Sequence, residues 1–282
     1  MKILAIIVNY NGKQLLERNM PSLVSTYQPN LDICVVDNNS SDDSILFLEK
    51  EYPEIKILKS DKNLGYGKAH NLALNKYPDY QYYIFMNNDL SLEPDWLSNL
   101  LEVMQVKQNV GAVGPKILLA KKKDGKYVIN SAGLEIDKHY MAYDRYEGEN
   151  DDGKYSQTEK VDGICGAVML VSRKVLDKVK GFNSKMFLYY EDVDLSLRIR
   201  DAGYNIYYCG KSVVYHDHMA STANLGSSKR NQMNMKNRYI SIKNRLGFFV
   251  AIKETVWYLY NWITWKTFHS KKLTLREYLN DK

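Results

Sequence analysis

Tyr82-Tyr83-Ile84-Phe85-Met86-Asn87-Asn88-Asp89 is the stretch that decides the fold. Its first part is short, aromatic and apolar and ends in a polar cluster, which predicts a buried strand over Gln81–Met86. A strand ending in Asn-Asn-Asp places amide and carboxylate oxygens at the carboxyl edge of a sheet, where open α/β sheets bind their ligands. Hard cations such as Mg²⁺ or Mn²⁺ prefer oxygen donors and readily bridge one carboxylate to a diphosphate. Taken by itself, the triplet serves equally well as a polar turn opening the helix after Glu93-Pro94.

The flanking sequence turns that strand into one member of a series. Ile3–Val8, Leu31–Val36 and Ile55–Leu58 read as strands, alternating with helices over Lys13–Ser25, Asp42–Glu51 and Gly65–Lys76. Alternation of this kind predicts an α/β fold, a Rossmann-like, mostly parallel central sheet with helices on both faces. No Gly-X-Gly-X-X-Gly follows the first strand, which argues against a nicotinamide dinucleotide. Met1–Val8 is too short for a signal peptide and lacks a small-residue cleavage site.

Downstream, a helix is expected over Trp96–Lys107, and strands over Ala112–Leu119, Tyr127–Ile136 and Ala167–Ser172. The acidic Glu147–Tyr155 reads as a mobile loop, and Glu191–Ala202 as an amphipathic helix stopped by Gly203. Ser228–Leu246 is a basic helix, and the aromatic Phe248–Phe268 is interrupted by Lys253 and Glu254. An interrupted aromatic helix suits a membrane interface better than a span, with Lys266, Lys271 and Lys272 facing lipid. The same pattern also fits packing on the preceding domain or a partner subunit. The expected division is a domain over 1–221 and a basic, aromatic helical extension over 222–282.

The chain has 282 residues, of which 45% are hydrophobic and 26% charged, enough for a sizeable core. Its 23 tyrosines suit carbohydrate and interface surfaces. The three cysteines, Cys34, Cys165 and Cys209, form no close pair, which predicts reduced thiols and a cytoplasmic setting. Gly226 to Lys282 carries 12 Lys and Arg against 3 Asp and Glu, a net +9 that leaves −3 on the remainder. The C-terminal part therefore faces something anionic, with a membrane surface contacting 226–272 favoured over nucleic acid.

Four further clusters can carry chemistry. Asp37-Asn38-Asn39-Ser40-Ser41-Asp42 lacks the Gly and Glu of a calcium loop, with Asp42 and Leu48 in their places. A carboxylate there can accept a hydrogen bond from a nucleobase or ribose, and Ser41 or Asp42 can cap the next helix. In Asn63-Leu64-Gly65-Tyr66-Gly67-Lys68, glycines allow a backbone to approach a ligand at a helix start that favours anions. Phe187-Leu188-Tyr189-Tyr190-Glu191-Asp192-Val193-Asp194 sets acids behind an aromatic run, which could shield a general base or simply offset a helix dipole. His216 and His218 share strand parity in Val213–His218 and could complete a metal shell or contact a phosphate.

Val8-Asn9-Tyr10-Asn11, Asp37-Asn38-Asn39, Asn63-Leu64-Gly65-Tyr66-Gly67, Asn87-Asn88-Asp89, Glu191-Asp192-Val193-Asp194 and His216 occur in the order seen in family 2 glycosyltransferases. Between Lys2 and Ser221 the chain resembles that family, and from Gly181 to Tyr204 its rhamnosyltransferase-like branch. The resemblance implies a GT-A fold, a nucleotide-sugar donor, Mg²⁺ or Mn²⁺, and inversion at the anomeric carbon. It implies Asp192 as catalytic base with Glu191 beside it, and Asp89 and His216 at the metal. Donor contacts would come from Val8, Asn9, Tyr10, Asp37, Asn39, Gly65, Lys68, Asn71 and Asn88. Asn87 replaces the first acid of the family's Asp-X-Asp motif, leaving one firm carboxylate. The implied donor is dTDP-L-rhamnose, or alternatively a UDP-linked hexose. The implied acceptor is a growing bacterial surface glycan on a polyprenyl diphosphate, reached from the inner face of the membrane. A homodimer stays open. Outside the family, the rival readings are a nucleotidyltransferase, a non-catalytic scaffold and a nucleic-acid binder.

Overall fold

The computed structural model describes residues 1–26, 30–217 and 227–268, except the side chains of 227 and 265–268. His218, Lys271 and Lys272 and the side chain of Lys266 therefore lie outside the described residues, as does the expected boundary at 221/222. The strands are β1 (Ile3–Asn9), β2 (Leu31–Asp37), β3 (Lys56–Lys59), β4 (Tyr82–Met86), β5 (Leu90–Leu92), β6 (Val110–Leu119), β7 (Ile129–Ser131), β8 (Leu134–Ile136), β9 (Ala142–Asp144), β10 (Thr158–Val161), β11 (Val168–Ser172) and β12 (Asn205–His216). The helices are α1 (Lys13–Ser25), α2 (Ser44–Glu51), α3 (Tyr66–Lys76), α4 (Trp96–Val106), α5 (Arg173–Val179), α6 (Glu191–Asp201), α7 (Ser227–Leu246) and α8 (Phe248–Phe268).

The main sheet runs β10-β12-β6-β11-β4-β1-β2-β3, with β5 beside β12 and β7 beside β6. β1, β2, β3 and β4 are mutually parallel, and β6 and β12 share their direction; only β11 and β10 run against them along that path. The sheet is thus mixed and mostly parallel. Its inner strands are apolar on both faces because helices cover both. Ile3, Ala5 and Ile7 point toward α1, α2 and α4, where Trp96 is fully buried and its Nε1 donates to Thr26 Oγ1 at 3.1 Å. Leu4, Ile6 and Phe85 point the other way, toward α3, α5 and α6.

Chain order reverses around β1, with β2 on one side and β4 on the other. The carboxyl ends of these three strands, at Asn9, Asp37 and Met86, therefore flank the crevice where α/β sheets bind ligands. β12 brings His216 to the same edge, paired with Leu90 of β5.

Several boundaries differ from the sequence expectation. The single strand expected over Tyr127–Ile136 is two, β7 and β8, in different sheets, because Gly133 at φ +86° breaks the extended chain. Glu147–Tyr155 is a packed segment rather than a mobile loop: Tyr155 is buried, the Ile129 N–H bonds the Glu149 carbonyl at 2.8 Å, and Asp151 pairs with buried Lys116 at 2.8 Å. α2 begins at Ser44 rather than Asp42. Asp42 accepts instead from the Lys13 N–H at 2.9 Å and the Ser44 N–H at 3.2 Å, so one carboxylate ties two helix starts together.

Candidate active site

The edge is assembled from β1 outward. Asn9 is fully buried; its Nδ2 donates to Ser44 Oγ at 3.0 Å and Ser40 Oγ at 3.2 Å, while its Oδ1 accepts from Asn88 Nδ2 at 2.9 Å. Asn9, expected at the donor, is thus turned inward as a brace between the β2 loop and the triplet after β4. Asp37 sits beside Asn9 in register. It is 5% exposed, accepts from the Ser40 N–H at 3.3 Å, and has no hydrogen-bond partner at Oδ1. A buried carboxylate oxygen left open in this way is suited to accept from a ligand N–H or O–H. Val8 is half-buried just below, whereas Tyr10, at 48%, and Asn39, at φ +70°, face solvent around Asp37.

A second pair follows at the ends of β4 and β12. His216 Nε2 lies 3.1 Å from Asp89 Oδ1, and both residues are buried. His216 Nδ1 donates to Asn130 Oδ1 at 2.8 Å, which fixes the ring so that Nε2 faces Asp89. A buried carboxylate oxygen and an imidazole nitrogen this close are donors that could together hold a divalent cation. Among the described residues no third His, Cys, Asp or Glu joins them. Asn88 places its amide on Asn9 rather than on this pair, and its carbonyl accepts from Asn19 Nδ2 at 3.3 Å.

The third part is the start of α6. Asp192 is half-buried; Oδ2 accepts from the Gly166 N–H at 2.7 Å and Oδ1 from the Val193 N–H at 2.8 Å. Burial raises its pKa above the ordinary value, against the pull of those two N–H groups. Glu191 is 6% exposed with no hydrogen-bond partner at Oε2, and burial, with the Asp192 and Asp194 charges adding to it, pushes its carboxyl up to about 8. Asp194 is instead structural. Its Oδ2 pairs with Arg198 Nε at 2.7 Å, and Arg198 holds the Val179 and Gly181 carbonyls at 2.6 and 2.8 Å.

One path of contacts joins the three parts. Asp192 bonds the Gly166 N–H, the next carbonyl, of Ala167, accepts from the Asn87 N–H at 3.0 Å, and Asn87 Nδ2 lies 3.4 Å from His216 Nε2. Gly65 adds the α3 side. It lies at φ +77°, and a Cβ there would sit 2.0 Å from the Phe187 carbonyl oxygen, which also accepts from the Tyr66 N–H at 2.9 Å. Lys68 is exposed one turn on. Asn71, also expected at the donor, clamps Phe182 instead, donating to its carbonyl at 2.8 Å and accepting from its N–H at 2.9 Å. A cavity of about 1020 Å³ lies elsewhere, around Arg145, Lys160, Asp162 and Arg200 near the start of β12, and contains none of these residues. Among the described residues the site lies along the carboxyl edge of the sheet.

The sequence profile of glycosyl transferase family 2 matches residues 4–180. The chain belongs to that family. The glycosyltransferase is 24% identical over 260 residues to the N-acetylglucosaminyl-diphospho-decaprenol L-rhamnosyltransferase of Mycobacterium tuberculosis, covering 85% of this chain and 83% of the relative. It is 24% identical over 239 residues to the low-salt glycan biosynthesis hexosyltransferase Agl10 of Haloferax volcanii, covering 84% and 74%. The structure of GalNAc-T7 with UDP, GalNAc and Mn²⁺ superimposes with a TM-score of 0.66 at 14% identity, over 86% of this chain and 48% of that one, which establishes the GT-A fold. The profile match stops before Asp192 and His216, so their place at the edge rests on the contacts above.

Sequence reasoning missed the residues that hold the glycosyltransferase's acids in place. Asn130 fixes the His216 ring from β7, and Gly166 supplies the N–H to Asp192. Asn237 of α7 donates to the Leu188 and Tyr189 carbonyls at 2.9 and 2.7 Å. These contacts span roughly fifty residues or more in most cases, and no local pattern in the chain announces them.

Proposed function

We propose that this glycosyltransferase moves a sugar from a nucleotide-sugar donor to a hydroxyl of a growing, lipid-linked bacterial surface polysaccharide, with inversion. The favoured donor is dTDP-L-rhamnose. The observation that carries the reading is the unbroken contact path from Asp37 through Asn9 and Asn88 to Asp89 and His216, and on to Asp192. The rhamnosyltransferase of M. tuberculosis supports the sugar and the polyprenyl-linked acceptor. Agl10, a hexosyltransferase, supports the alternative of another hexose, for which the proposed carrier is UDP.

In this reading Asp37 accepts from the base or ribose, with Val8, Tyr10 and Asn39 around it. Gly65 and Lys68 face the phosphates, while Asn9 and Asn71 brace the loops. Asp89 and His216 would hold Mg²⁺ or Mn²⁺, which when bound neutralises the departing diphosphate. Asp192 takes the proton from the acceptor hydroxyl as that oxygen bonds to the anomeric carbon. The bond from that carbon to the phosphate oxygen breaks on the far side. One displacement with one base inverts the centre. Protonated Glu191 leaves Asp192 the single negative charge of the adjacent pair, and a raised pKa brings Asp192 nearer the working pH.

Thermal shift against dTDP-rhamnose and UDP-hexoses, with and without Mg²⁺ or Mn²⁺, tests this directly. The expected result is metal-dependent stabilisation by one nucleotide sugar, and release of the nucleoside diphosphate when a lipid-linked glycan is added. Pyrophosphate release from a nucleoside triphosphate would assign the chain to nucleotidyl transfer instead. Absence of turnover with every donor would leave a scaffold.

A further inference from the structure

α8 is amphipathic the wrong way round for a helix covering a protein. Its inward face carries Ala251, Glu254, Tyr258 and Asn261, all buried. Glu254 faces His139 Nδ1 at 2.7 Å and Arg238 Nη2 at 3.8 Å, and His139 stacks on Trp257 with ring centroids 3.6 Å apart. Its outward face carries Phe249 at 86% exposure, Ile252 at 40%, Val256 at 59%, Leu259 at 46% and Tyr260 at 62%. At 3.6 residues per turn these five fall within an arc of about 100° and extend about 16 Å along the helix. Most of the large apolar side chains that the described residues leave exposed lie between Leu246 and Ile263. An apolar patch so concentrated marks an interaction surface.

The charge around it identifies the partner. Lys229, Arg230, Lys236, Lys243 and Lys253 are exposed on α7 and α8, whereas the only acid between 227 and 264, Glu254, is buried. Lys243 Nζ lies 5.7 Å from the Phe248 ring centroid, beside the stripe, and Lys253 follows Ile252. A second copy of the chain meeting this face symmetrically would set these cations against their own kind, with no exposed acid on α7 or α8 to answer them. A surface offering both hydrocarbon and negative charge answers both features.

We infer that the outward face of α8 docks the protein on an anionic lipid bilayer, lying along the headgroup boundary with Phe249, Val256 and Tyr260 inserted and Lys243 and Lys253 on lipid phosphates. The inference stands apart from the identity of the donor. Co-sedimentation of the full chain with vesicles of neutral phosphatidylcholine, and of the same lipid with about 30% phosphatidylglycerol, tests it. The expected result is partition onto the anionic vesicles that falls with salt and is about tenfold weaker on neutral ones. Phe249→Asp with Val256→Asp should lower partition by about tenfold or more on both. Lys243→Glu with Lys253→Glu should remove most of the preference for anionic lipid. An unchanged melting temperature and unchanged transfer to a water-soluble acceptor would show both double variants folded. Equal binding of wild type to neutral vesicles, or undiminished binding of the aspartate pair, would overturn the inference. So would a concentration-dependent dimer that binds no vesicles and is dissolved by that pair, which would give the face to a second copy.

Discussion

The β1–β4 sheet and the α7–α8 pair are built by opposite rules. In the sheet, apolar side chains fill both faces and polar ones collect at the carboxyl edge, as Ile3–Val8 followed by Asn9 shows. In the helix pair, polar groups are buried among the apolar ones: beside Ile242, Ala251 and Tyr258, Arg238 is 2% exposed, its Nε donates to the His139 carbonyl at 3.1 Å, and Glu254 and Asn237 are buried as well. A charged core is weak evidence for stability, because desolvation offsets much of the Coulomb gain. It does fix position. In the proposed reading the sheet supplies the donor edge, while Asn237 of α7 reaches across to the Leu188 and Tyr189 carbonyls just before Asp192. Donor binding and proton removal should therefore be separable by mutation.

The sharpest separation is expected from Asp192→Asn. It should lower kcat by about 10³-fold, within the range for loss of a positioned base, and leave donor affinity unchanged. Calorimetry of donor binding beside single-turnover rates would show this, and an active variant would remove Asp192 from the base role. Asp89→Ala should act on the other side. It should weaken donor binding in Mg²⁺ by about 100-fold, with little loss in the absence of metal. Equal loss with and without metal would break the assignment of Asp89.

The two regions were also unequally legible. Short apolar runs between polar loops announce β1, β2 and β4, since strands buried on both faces need no partner to declare them. Asp37, Asp89 and Asp192 could be picked out because each is a carboxylate at the end of an apolar run or behind an aromatic one. The roles of Asn9 and Asn71 were not legible, because an asparagine near a ligand edge looks the same in sequence whether it faces outward or braces a loop. The packed Glu147–Tyr155 segment was hidden because its order depends on Lys116 and Ile129, contacts made across the chain. The inverted face of α8 could be read only once the structure showed which side Glu254 takes.

Asn237 tests the reach of α7 into the site. Tyr189 and Tyr190 both lie at φ +68°, a conformation costing about 1–3 kcal/mol for a non-glycine residue. The two Asn237 bonds return about 1 kcal/mol each, so they hold the turn only together with the Tyr190 hydroxyl, which donates to the Tyr140 carbonyl at 2.6 Å. Asn237→Ala should lower kcat about tenfold, with donor affinity unchanged. Arg245→Ala, also on α7, breaks the 2.6 Å pair with Asp201 at the end of α6 and should cost stability without that loss of rate. If Asn237→Ala weakened donor binding and spared kcat, the division between the two regions would be wrong.

The smallest effect belongs to Glu191. Its carboxyl titrates near 8 in the folded protein and near 4.5 when unfolded, so the folded state holds one more proton between those values. Stability from this group is full below about pH 4.5 and is lost as pH rises toward 8. Glu191→Gln keeps the shape of the protonated acid and has nothing to titrate. It should therefore gain several degrees in melting temperature relative to wild type between pH 5 and pH 8, then hold that margin. At pH 7 it should keep transfer within about threefold, since wild type already carries the proton there. Parallel melting curves across that range would mean that Glu191 is ionised in the folded protein, and Asp192 would then work beside a second full negative charge.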